Sequence, residues 1–79
     1  MNHFQMQLKM QYEVRVVEML LLDFPVSVVV GTAEEPGLIQ LYSRYMEETW
    51  MRKQSTYETA RFILNENYHL LAGYQAQLA

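Results

Sequence analysis

The side chain best suited to moving protons at neutral pH is histidine, and this chain has two, His3 and His69. His3 stands at the start of the sequence with no second ligand or nucleophile at a useful spacing. His69 falls on the polar side of a predicted helix, with Glu66 at i−3 and Asn65 at i−4. Both read as solvated side chains. Two carboxylate pairs occur, Glu34–Glu35 and Glu47–Glu48. General acid–base work needs two groups held in different environments of one cleft. Adjacent glutamates on a helix point about 100° apart, and these fall on predicted solvent faces. Ser27, Ser43 and Ser55 have no histidine at a spacing that suggests a nucleophile–base pair, and read as strand, helix-surface and cap residues. Gly31, Gly37 and Gly73 stand alone, so no glycine-rich phosphate loop is present. There is no cysteine, which removes disulfides and thiolate metal sites. The expectation is a protein that is not an enzyme, with no catalytic residue, no metal ligand and no cofactor.

What the residue types offer instead is surface. Six tyrosines, six methionines and one tryptophan in 79 residues exceed the needs of a small core. These are the types enriched in the buried centres of interfaces. Half of the chain is apolar and 19% is charged, far from a disordered composition. A single domain covering residues 1–79 is expected. A domain of this size has a thin stability margin and often relies on a staple or a second chain.

Charge narrows the partners. The net charge is −3, whereas affinity for nucleic acid comes largely from a basic face neutralising phosphates. Residues 1–40 carry Lys9 and Arg15 against Glu13, Glu18, Asp23, Glu34 and Glu35, and residues 41–79 balance four basic against four acidic side chains. The one basic concentration is Arg44, Arg52, Lys53 and Arg61. It reads as helix-end charge and i,i+4 pairing such as Glu48–Arg52, or as a docking point for an acidic partner. No apolar run approaches the roughly 20 residues of a membrane span. With no export signal and no cysteine, a cytoplasmic location is expected.

The elements that would position these residues follow from periodicity. Phe4, Met6, Leu8, Met10, Tyr12, Val14 and Val16 occupy every even position, with polar residues between them. Strict alternation predicts a long, half-buried strand. On a helical wheel the same apolar residues scatter all round, although their types favour helix. Val17–Asp23 breaks the alternation through a bulge or a helical turn. Phe24-Pro25 punctuates the chain, and Val26–Val30, ending at Gly31, reads as a short second strand. Thr32-Ala-Glu-Glu35 matches a capping box with Pro36 in the first turn of a helix that runs to Lys53-Gln54. Ser55-Thr-Tyr-Glu58 opens another at once, with an apolar arc from Tyr57 through Ile63 and Leu71 to Tyr74 and Leu78. The expected fold is therefore α+β, two strands packed on a C-terminal antiparallel helical hairpin. The alternative is an all-α three-helix arrangement in which residues 4–22 are helical.

A short strand followed by two helices matches the element order of ribbon-helix-helix repressors. The likeness ends at that outline, because the reading strand of that family carries polar and basic side chains where this one presents Val, Ser and Val. The chain is not assigned to it. The expected function is a small acidic protein-binding module: an inhibitor, adaptor or co-chaperone of the kind a phage or mobile element carries. A dimeric DNA-binding regulator is the alternative. Trp50, Met51 and Phe62, apolar residues on or beside the two helix arcs, are expected to meet the partner, with Arg52 and Lys53 beside them and Tyr12 on the strand. The exposed edge of the long strand suggests a homodimer.

Overall fold

A computed structural model describes residues 2–71. Five helices follow one another: α1 (His3–Leu20), α2 (Val26–Val30), α3 (Leu38–Leu41), α4 (Ser43–Met51) and α5 (Thr56–Glu66). Residues 68–71 are again helical. Among the described residues the only β pairing is an isolated bridge between Gly31 and Pro36. The expected α+β fold is thus overturned: Phe4–Val16 is not a strand but most of the longest helix.

Its start is set locally. Asn2 accepts the amide of Gln5 on its side-chain oxygen at 2.8 Å, and the Gln5 side chain reaches back to the Asn2 amide at 3.4 Å. This reciprocal capping box satisfies two orphan donors of the first turn. Burial fixes the other end, where Val16 and Leu20 are fully buried and Tyr12, Val17 and Met19 pack against the same core.

The second expected strand is also a helix. In α2 the Pro25 carbonyl accepts the amides of Val28 and Val29, and Gly31 closes the turn at φ 93°. β-Branched residues disfavour helix only slightly, and burial of Val29 against the core outweighs that preference. Phe24 and Val29 stand at the two positions that a hydrophobic staple joins across a helix start, and both belong to the core. Gly37 then comes back against the backbone of Val29, Val30 and Gly31 so closely that a Cβ at Gly37 would collide with it.

The helix expected from Thr32 to Gln54 begins later and is interrupted. Thr32 does accept the amides of Glu34 and Glu35, but the bonds close a turn rather than cap a helix. Pro36 lies in the bridge with Gly31, and α3 starts only after Gly37, whose amide donates to the Gln40 side chain at 2.6 Å. Tyr42, at φ −105° and ψ 16°, separates α3 from α4. There its hydroxyl accepts a hydrogen bond from Asn67, and its ring meets Tyr45 edge-on. The end of α4 is a Schellman motif: Gln54 N–H to Thr49 C=O at 2.9 Å and Lys53 N–H to Trp50 C=O at 3.1 Å. The motif forces Lys53 to a left-handed φ of 61°. Ser55 caps α5 by accepting the Glu58 amide at 3.1 Å.

The expected antiparallel hairpin is not the main packing: α4 and α5 do not simply pair with each other. α5 packs mainly along α1, which also touches α4. The core is a cluster of Val16, Leu20, Phe24, Val29, Leu38, Met46, Ala60 and Ile63 drawn from α1, the α1–α2 turn, α2, α3, α4 and α5. Of the predicted apolar arc of the last helix, Tyr74 and Leu78 lie outside the described residues, as does Gly73.

Candidate binding surface

Where α1 crosses α4 and α5, one polar chain links the three helices. Thr49 and Thr59 are fully buried. The Tyr12 hydroxyl donates to Thr49 Oγ1 at 2.8 Å, and Thr49 donates to the Met46 carbonyl at 3.0 Å. Gln54 Nε2 donates to Thr59 Oγ1 and to the Tyr45 hydroxyl, both at 3.2 Å. Tyr12 and Thr59 are 2.6 Å apart. Because the single Tyr12 proton is committed to Thr49, Thr59 must donate to Tyr12. The chain therefore runs one way, from Gln54 through Thr59, Tyr12 and Thr49 to a backbone carbonyl. Among the described residues no buried side-chain polar atom is left without a partner. A fully satisfied network of this kind fixes how helices sit on one another.

N-terminal to Tyr12 the same helix has almost no cover. Phe4, Met6, Leu8 and Met10 are all exposed, Met10 at 62%. Only Lys9 is half-buried, in an ion pair with Glu47 of α4 at 3.8 Å. Met6, Met10, Val14 and Val17 recur at spacings of four, four and three, which places them on one stripe. The C-terminal part of that stripe forms one wall of a groove of about 510 Å³, with Ile39, Gln40, Ser43 and Met46 opposite. Glu13 and Glu18 also line it. Glu18 pairs with Arg15 at 3.5 Å. Glu13 is half-buried and has no cation within ion-pair distance among the described residues.

The residues expected from sequence to meet a partner fall elsewhere. Trp50 is half-buried near the end of α4, and Met51 is 69% exposed beside it. Arg52 and Lys53 follow on the surface, with Lys53 occupying the left-handed position of the Schellman motif. Phe62 is 42% exposed and stacks on Tyr45 with ring centroids 4.6 Å apart. Tyr12 is engaged in the polar chain, so its hydroxyl is committed inward. The Glu48–Arg52 pairing is not among the ion pairs of the described residues.

The groove and its stripe were missed because a strand reading sends alternate residues to one face. The capping pair Asn2 and Gln5, together with the helix-forming types at the polar positions, was the signal that could have found them. His3 lies 3.2 Å from Gln7 on α1, and His69 is exposed. Among the described residues no three His, Cys, Asp or Glu side chains converge as metal ligands would. Glu47 is engaged with Lys9, and Glu34 and Glu35 sit on the exposed turn after Thr32. No helix among the described residues is long and apolar enough to cross a membrane.

With Val26–Val30 helical, the outline shared with ribbon-helix-helix repressors also disappears. Comparison with protein-family models, curated proteins and solved structures finds no match, so no family is shown for the chain.

Proposed function

We propose that this chain is a non-catalytic protein-binding module, an inhibitor, adaptor or co-chaperone, that works by presenting an apolar helical face. One observation carries the reading: on the uncovered first half of α1, exposed Met6 and Met10 lead directly into the apolar groove beside α3 and α4, with Phe4 and Leu8 also exposed on the same turns. Contiguous exposed apolar surface is rare on chains that act alone. A helix stripe next to a groove is a common way for one protein to hold another. The cysteine-free composition suits a reducing compartment, so the proposed setting is the cytoplasm.

The test is capture from a lysate of the source organism, with the full chain and its Met6→Ser and Met10→Ser variants as parallel baits. A protein retained by the parent and lost with both variants supports the reading. Capture indifferent to both substitutions contradicts it. A parallel Met51→Ser bait separates this face from the end of α4.

A further inference from the structure

We infer that the groove between α1 and the α3–α4 segment is filled by the α1 helix of a second copy of this chain, packed antiparallel about a twofold axis near Met10. The inference rests on the binding reading above and names the occupant of that face.

Three observations select a second copy. The first is geometric. In the stripe Met6–Met10–Val14, Met6 lies at the uncovered end and Val14 in the groove wall. An antiparallel twofold near Met10 sets Met6 of each copy against Val14 of the other. The turn that lacks cover in one chain thereby covers the groove of its mate, as an isologous contact requires.

The second is charge. The chain carries −3, yet α1 carries Lys9 and Arg15 against Glu13 and Glu18 and is neutral. The excess negative charge lies on other elements, so two α1 helices approach without net repulsion, and a neutral face does not select a strongly charged partner. The antiparallel register also carries Lys9 of one copy toward Glu13 of the other. Glu13 has no cation partner among the described residues, and Lys9 holds Glu47 at a loose 3.8 Å.

The third is the need of the helix itself. Isolated helices shorter than about 12–15 residues are marginal in water. Residues 3–11 of α1 have little intramolecular packing to hold them, and a second copy is the one partner present wherever the chain is. One helix–groove contact per copy is at the small end of stable interfaces, so dissociation in the micromolar range is expected.

Sedimentation velocity of the full chain over a range on the order of 1 to 500 µM brackets that expectation. The expected result is a concentration-dependent species of twice the 9.4 kDa chain mass. Met10→Glu is expected to weaken the dimer at least about 10-fold. As a second readout, Met10→Cys in this cysteine-free chain is expected to form a disulfide-linked dimer on mild oxidation. Leu22→Cys, at a position 84% exposed outside the stripe, is expected to stay monomeric. A parent chain that remains monomeric throughout overturns the inference. So does a dimer indifferent to Met10→Glu, or equal cross-linking at positions 10 and 22. A monomeric parent that still captures a foreign protein through Met10 overturns the self-association and leaves the binding reading standing. A Met10-dependent dimer that captures nothing supports the self-association and removes the foreign partner.

Discussion

The two halves of α1 share one helix and have opposite surroundings. From Tyr12 onward the helix is tied into the molecule, with Val16 and Leu20 fully buried and Tyr12 linked to both Thr49 and Thr59. Before Tyr12 the apolar side chains stand in solvent, and the main tie to the rest of the fold is the Lys9–Glu47 ion pair. A partly exposed pair of that kind contributes about 1 kcal/mol or less. The difference separates two uses of apolar residues in a small chain. One set closes a core, and the other is left uncovered within the single chain.

The comparison can be broken most sharply in the buried half. Leu20→Ala empties a fully buried site and is expected to cost about 3 kcal/mol in urea unfolding, within the usual range for buried leucine. Gly37→Ala pushes a methyl group into the backbone of Val29, Val30 and Gly31, and a loss of about 2 kcal/mol is expected in the same assay. Tyr12→Phe keeps the ring but removes the middle of the polar chain. Thr59 then loses its acceptor and Thr49 its donor, and about 1–2 kcal/mol should be lost. Lys53→Gly has the opposite sign. It relieves a left-handed residue at the position where glycine is favoured and should raise stability by up to about 1 kcal/mol. The smallest effects belong to the uncovered half, where Met6→Ser and Leu8→Ser in dilute protein should shift stability by no more than about 0.5 kcal/mol. If those two substitutions cost as much as Leu20→Ala, the first half of α1 is core and the contrast fails.

The sequence makes the later elements easier to read than the earlier ones. Ser55 caps α5, and the closure of α4 at Lys53-Gln54 is real, although it comes from a Schellman motif rather than from basic charge at the helix end. Val26–Val30 reads as a strand from its β-branched residues, yet Pro25 and the burial of Phe24 and Val29 hold it as one helical turn. Phe4–Val16 misleads for a different reason. A helix with one apolar face gives a clear stripe on the wheel, but α1 has more than one. Tyr12, Val16 and Leu20 face the core on a stripe that Phe4 and Leu8 continue beyond its cover, and Met6, Met10 and Val14 lie on the groove stripe. Superposed, these sets happen to fall on every even position and imitate a strand. The propensities of Gln, Lys, Met and Leu, outweighed by that pattern, carried the correct information. The groove could not be read in the same way, because Ile39 and Met46 reach α1 only through the tertiary fold. The end of α4 and Phe62 were legible as apolar surplus, although Phe62 spends part of its surface on Tyr45.

Amide hydrogen exchange, followed residue by residue at low and high protein concentration, tests the central contrast most directly. Exchange protection reports how often each stretch of helix opens. Residues 12–20 are predicted to be strongly protected at both concentrations. Residues 4–11 are predicted to exchange quickly in dilute protein and to gain protection as concentration rises and α1 finds its cover. Equal protection of the two halves at every concentration, or an alternating pattern expected of a strand edge along residues 4–16, would contradict the account.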